Sequence, residues 1–189
     1  MMRRSTDDLM TDESAPHVYE RKRPLPAWME RHPQARVYAS ELAMPRLRRQ
    51  GREGLLPLAE LQPLLAPGYR LLSVPFIGSG EAIVSVPAAD GRAWIVCDLF
   101  MNMLEAPPSF LGRLWGSLMD EYPGLKLPRV LAPLIPLGRR GAVADWICNE
   151  LRADQPTTLV PAHGEVATQS DLTQELARRL QSRFGGTNC

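Results

Sequence analysis

Two polar residues stand at or just past the ends of short apolar runs, and their types could hold a metal ion. Trp94–Leu99 has the sequence Trp-Ile-Val-Cys-Asp-Leu and includes Asp98, while Leu159–Gly164 has the sequence Leu-Val-Pro-Ala-His-Gly and includes His163. Ligand-binding and catalytic groups tend to lie where the strands of an α/β sheet run out into loops. A carboxylate and an imidazole there can bind a metal, or they can cap strand ends and hydrogen-bond to loops.

The two runs belong to a set of short segments with strand-like composition. The sequence predicts strands at Arg36–Ala39, Tyr69–Val74, Ala82–Val86, Ala93–Cys97 and Thr157–Val160. Asp90-Gly91 lies between two of these strands and is typical of a hairpin turn. The Leu- and Pro-rich stretch Gly51–Gly68 shows no clear period, and its Leu residues are expected over the core.

Helical patterns alternate with these strands. Apolar spacing predicts helices at Leu25–Arg31, Glu41–Arg49, Ser109–Glu121, Ala142–Leu151 and Asp171–Phe184. The last helix is the most regular, because apolar residues recur at every fourth position from Leu172 to Phe184. We expect three tryptophans in the core, namely Trp94, Trp115 and Trp146. The order of elements indicates an α/β fold with a mixed sheet.

Composition is that of an ordinary soluble domain. Of the 189 residues, 44% are hydrophobic and 23% charged, and the net charge of +1 gives no strong attraction to nucleic acid or to anionic membranes. The basic cluster of Arg46, Arg48, Arg49 and Arg52 is interpreted as a solvated face. No secretory signal and no membrane-length apolar run is visible, so the prediction is a cytoplasmic protein with no membrane partner. Residues 1–16 are expected to be a disordered tail, and residues 17–189 a single domain.

The cysteines predict neither a disulfide framework nor a zinc knuckle. Their number is odd, and Cys97, Cys148 and Cys189 form no Cys-x-x-Cys pair. Cys97 lies in an apolar strand and Cys148 in a helical pattern. Both are therefore expected to be buried free thiols.

The strand ends resemble the metallo-β-lactamase fold superfamily, whose later metal ligands lie on a strand ending in Asp and on a strand followed by Pro-x-His-Gly. The segment Leu25–Tyr38 is similar to the helix and strand that follow the family's His-x-His-x-Asp-His motif. Counting back from it places that motif at residues 16–21. Pro16, Val18 and Arg21 then stand at the His positions and Glu20 at the Asp position, while His17 lies one residue out of register.

The resemblance covers residues 16–164 and implies an α/β fold, an αββα sandwich that lacks most of its N-terminal half-sheet. The gene would be truncated, or another chain would supply the missing layer, or the protein would be a reduced family member. Because a half-sandwich leaves a sheet face open, we expect a homo-oligomer or a partner chain to cover it. The family layout also implies that Asp98 and His163 face one metal pocket at one edge of the sheet.

A catalytic zinc needs about three protein ligands and an open water position. Asp98 and His163 supply two, and His17 or Glu20 would be the third. The resemblance therefore implies a hydrolase-like protein with a degraded metal site and weak or no activity, which would use zinc or iron if the site functions. The alternative is a non-enzymatic scaffold or binding protein that keeps only the fold.

Overall fold

The computed structural model describes residues 29–185 and residue 189, and the chain forms two units, residues 1–36 and 37–189. In the first unit, residues 29–31 form a helical turn, after which the Ala35 N–H donates to the His32 carbonyl at 2.9 Å. The end of the predicted tail at residue 16, and most of the predicted helix Leu25–Arg31, lie outside the described residues. Among the described residues, the strands and the longer helices belong to the second unit.

A five-stranded mixed sheet forms the centre of the second unit. Its strands are β3 (Arg70–Ser73), β4 (Ala82–Ala88), β5 (Gly91–Val96), β8 (Thr158–Pro161) and β9 (Ala167–Thr168), and they lie side by side in the order β3-β4-β5-β8-β9. β4 and β5 are the two arms of the predicted hairpin. β5 and β8 run parallel, while the other neighbours are antiparallel. The predicted α/β class with a mixed sheet is therefore confirmed.

Two small sheets accompany the large one. β1 (Val37–Ala39) runs parallel to β2 (Leu55–Pro57), and β6 (Met101–Met103) runs antiparallel to β7 (Gly124–Lys126). Short 3₁₀ helices lie at Leu58–Glu60, Gln62–Leu64, Arg129–Leu134 and Leu137–Arg139. A second large sheet, which an αββα sandwich requires, is not among the elements of residues 29–185.

The α-helices of residues 37–185 are α1 (Met44–Arg49), α2 (Phe110–Met119), α3 (Arg140–Asp154) and α4 (Leu172–Phe184). α3 and α4 contribute to the main core through Ile147, Leu151, Leu172, Leu176 and Leu180, and the sheet contributes Ile83, Trp94 and Leu159. The four-residue spacing of Leu in α4 thus places one stripe against the sheet and α3. Within the described residues, no helix is both long enough and apolar enough to cross a membrane.

A buried carboxylate joins α3 to the sheet. Asp154 accepts a hydrogen bond of 2.9 Å from Trp94 Nε1, and the Arg70 guanidinium binds both Asp154 and, at 2.7 Å, Glu150. Burial raises the pKa of Asp154, but the hydrogen bonds from Ser85, Trp94 and Arg70 outweigh burial and hold that pKa below its ordinary value. Asp154 therefore stays ionised inside the fold.

The cysteine predictions are wrong in part. Cys148 is buried as expected, but it is bonded to Cys189 with the two Cα atoms 4.9 Å apart. The C-terminal residue comes back to α3 after α4, an approach that a separation of 41 residues does not reveal in the sequence. Cys97 is in no disulfide bond but is exposed, because the alternation of side chains along β5 places it on the same side as Ile95, which is 41% exposed.

Candidate functional site

The structure brings Asp98 and His163 together at one edge of the sheet. β5 and β8 are parallel neighbours with Val96 opposite Pro161, and the Ala162 N–H donates to the Val96 carbonyl at 3.0 Å. Asp98 lies two residues after Val96, and His163 lies two residues after Pro161. The Nε2 atom of His163 lies 3.1 Å from Oδ1 of Asp98, and both side chains are partly exposed. The proximity of the two residues, which the strand ends and the resemblance predicted, is therefore observed.

Glu81 is a third polar residue at this edge, and the sequence analysis missed it. It is almost fully buried, accepts the Asp98 N–H at 3.2 Å on Oε2, and accepts the Ser79 hydroxyl at 3.3 Å on Oε1. The antiparallel register that pairs Ile83 with Val96 places Glu81 opposite Asp98 if it is continued by two residues. A carboxylate directly before a predicted hairpin strand is the signal that could have found it.

The main chain around His163 is held by Asn102. The Asn102 N–H donates to the His163 carbonyl at 3.0 Å, and the Glu165 N–H donates to the Asn102 carbonyl at 2.9 Å. Gly164, between them, has a φ of +92°, and a Cβ atom there would overlap the Asn102 carbonyl. Glycine is the residue that tolerates both conditions. The loop therefore fixes the position from which the His163 side chain extends.

The Asp98–His163 pair has the spacing of two ligands of one ion. Two bonds of roughly 2 Å to a shared zinc hold the ligand atoms about 3 Å apart, and the observed separation is 3.1 Å. Across residues 29–185 and residue 189, however, no group of three or more His, Cys, Asp and Glu side chains is arranged for a metal. The further candidates His17 and Glu20 lie outside the described residues. Metal binding at Asp98 and His163 stays a prediction.

A second candidate site is apolar and lies on α2. Five large side chains of this helix are between 56% and 74% exposed, namely Phe110, Leu111, Leu114, Trp115 and Leu118. We call this surface the α2 face. With 3.6 residues per turn, the five positions form one continuous stripe over the length of the helix. The prediction that Trp115 lies in the core is wrong.

The opposite side of α2 explains why the large residues point outward. Gly112 and Gly116 lie there, and a Cβ atom at Gly112 would come within 2.9 Å of Pro107 Cβ. A Cβ atom at Gly116 would overlap the ring of Tyr122, whose hydroxyl donates to the Arg113 carbonyl. The helix therefore packs on its neighbouring loops through its glycines, and its large apolar side chains remain exposed. The Gly-x-x-x-Gly spacing was the available signal.

No protein-family model matches this chain, and no curated protein matches it. A solved structure described as the peroxy diiron species of the chemotaxis sensor ODP is similar over 82% of this chain, with 14% identity and a TM-score of 0.31. This chain spans 62% of the length of that one, and a likeness of this size carries no argument.

The assignment to the metallo-β-lactamase superfamily is therefore wrong, because neither a family model nor a sequence relative supports it. The resemblance rested mainly on the short sequence segments around Asp98 and His163 and on the segment Leu25–Tyr38. Two parallel strands that end side by side place polar residues in contact in the same way, as the 3.1 Å separation shows. Such strand ends are common to α/β sheets and do not identify one family.

Proposed function

We propose that this chain is a non-enzymatic binding protein that binds a macromolecular partner on the α2 face. The observation that carries the proposal is the exposure of five large apolar side chains on consecutive turns of one helix. Soluble monomers rarely expose a continuous apolar patch of more than a few hundred Å², and larger patches mark interaction sites. The proposal continues the alternative that the sequence left open, a scaffold or binding protein.

The size of the α2 face supports the proposal. If a large side chain contributes roughly 200 Å² when fully exposed, the five residues leave about 600 Å² of apolar surface in water. Covering that area would contribute on the order of 15 kcal/mol at 25 cal/mol per Å², before the entropic costs of association are subtracted. An area of this size is somewhat below the roughly 800 Å² that each partner of a standard interface buries.

Affinity capture with matched variants tests the proposal. The double substitution Leu111→Glu with Leu114→Glu introduces two charges into the α2 face, and Leu64→Glu is the control, since Leu64 is 64% exposed outside α2. The immobilised chains are incubated with an extract of the cells that express the protein. We expect the wild-type chain and Leu64→Glu to retain a partner that the double variant loses. Identical retained sets would refute the proposal.

The 3.1 Å separation of Asp98 and His163 favours a second candidate, metal-dependent hydrolysis. Two ligands do not complete a tetrahedral zinc site, which takes about three protein ligands and a water. The binding-protein proposal expects purified chain to carry well under one equivalent of zinc or iron by elemental analysis. Stoichiometric metal that is lost in His163→Ala, but kept in the control His32→Ala, would favour the hydrolase instead.

A further inference from the structure

We infer that the α2 face binds the α2 face of a second copy of this chain, in a two-fold symmetric dimer. The inference rests on the proposed function and names its partner. The sequence led us to expect a partner on an open sheet face. In the described residues, that sheet face carries Ile95, which is 41% exposed, beside the half-buried Leu71, Val84 and Val160. α2 is the more exposed surface, because its five large side chains are at least 56% exposed in one stripe.

The chemistry of the α2 face favours a protein partner that is permanently bound. None of its five residues is charged, and Arg113 is the one charged residue between Phe110 and Met119. Homodimer interfaces are more apolar than transient interfaces, and they are enriched in aromatic residues and depleted in Lys. Helices that lie on membranes carry a polar face rich in Lys and Arg. The opposite side of α2 carries Gly112 and Gly116 instead, so a lipid surface is the less favoured occupant.

The geometry of α2 suits pairing with itself. Phe110 and Leu118 mark the ends of the stripe, eight residues or about 12 Å apart along the helix axis. In an antiparallel pair about a two-fold axis, Phe110 of one copy meets Leu118 of the other, and Leu114 lies beside the axis next to its own copy. An interface of this kind uses the same surface twice, so one self-complementary stripe is sufficient.

The area is in the range that a dimer needs. Each copy would bury about 600 Å² of side-chain surface from α2, so that the pair buries about 1,200 Å² in total, the lower end of the range for stable interfaces. Leu104 is also strongly exposed, and it lies a few residues before the start of α2. Side chains from the flanking loops would enlarge the contact further.

Sedimentation equilibrium of the full chain between about 1 and 100 μM, a range that brackets micromolar dissociation constants, tests the inference. We expect wild-type chain and Leu64→Glu to have twice the 21.1 kDa mass of one chain at the upper concentrations. Leu114→Glu places two like charges beside the axis and should weaken dimerisation by at least about 100-fold. A monomeric wild type, or a dimer that Leu114→Glu leaves intact, would overturn the inference.

Cross-linking supplies a test that does not depend on a destabilising change. In a Cys97→Ser background, which removes the exposed cysteine that is in no disulfide, Leu114→Cys should form a covalent dimer on mild oxidation, and Leu64→Cys should not. Equal cross-linking of both variants would contradict the two-fold pairing.

The two proposals fail separately. If the wild-type chain is monomeric, but the double variant still fails to retain a partner that the wild-type chain captures, the dimer is wrong and the binding function stands. If wild-type chain instead sediments with phosphatidylcholine–phosphatidylserine vesicles as a monomer, the occupant is a lipid surface and the dimer is also wrong. A monomeric chain with identical capture by all variants would refute both.

Discussion

Removing the carboxylate of Asp154 tests the account of how α3 is held to the sheet. Asp154→Ala leaves Trp94 Nε1 without its acceptor at a site where the whole tryptophan is buried, which costs about 1–3 kcal/mol. The charged hydrogen bond from Arg70 is lost as well. Because the Arg70 side chain is 38% exposed, solvent screening reduces that contribution to about 1 kcal/mol.

The expected loss is therefore about 3 kcal/mol in the free energy of unfolding, more than 100-fold in the folding equilibrium. Urea unfolding followed by tryptophan fluorescence and by circular dichroism measures it at pH 7. Asp145→Ala is the matched control, because Asp145 is exposed on the same helix, and it should change stability by at most about 0.5 kcal/mol. If the two variants differ by under 1 kcal/mol, the Asp154 network does not stabilise the fold as described.

Three further results follow from the same structure. Because the pKa of Asp154 is lowered in the folded state, the ionised carboxylate stabilises the fold above the ordinary pKa of 3.8, and this stabilisation is lost as the pH falls through the folded-state pKa. The urea midpoint should therefore fall more steeply between pH 6 and pH 2 for the wild type than for Asp154→Asn. Gly164→Ala should cost about 2–3 kcal/mol from its positive φ and the overlap with a main-chain carbonyl, whereas Gly138→Ala, with open space around it, should be close to neutral. Cys189→Ser should lower the free energy of unfolding by about 2–4 kcal/mol under oxidising conditions and should cause no further loss in dithiothreitol. Cys97→Ser should change stability little under either condition. Equal behaviour of these two variants would argue against the disulfide.

Much of the fold was predictable because long periodic segments carry their own signal. The predicted helix Asp171–Phe184 is found at Leu172–Phe184, and the predicted strand Ala93–Cys97 is found at Gly91–Val96. β2, β6, β7 and β9 were missed, since segments of two or three residues rarely show a period. α2 was located correctly, but a period does not say which side of a helix faces inward. The glycines at 112 and 116 decided that, by allowing close contact with Pro107 and Tyr122.

The sheet edge that carries Glu81, Asp98 and His163 was predictable to a similar extent. Asp98 and His163 end two apolar runs, and parallel pairing of those runs is sufficient to bring them together. Glu81 depends on the register between β4 and β5, which the sequence does not fix beyond the hairpin turn. The family assignment failed for a different reason. Short sequence segments that end a strand in a polar residue recur wherever sheets place polar groups at an edge, so they carry little information about ancestry.

The pairing of β6 with β7 makes α2 an exchangeable segment. Met103 pairs with Gly124, so the residues between them form an inserted segment whose two ends lie side by side. Among the residues described, the main core draws no side chain from α2. Because the entropic cost of closing a loop rises slowly with its length, substitutions or insertions that spare Asp120, which binds Lys126 and Arg183, would leave the sheet and the Asp98–His163 pair in place. If the α2 face is the binding surface, as proposed, its side chains can change without a change in the packing of the main core.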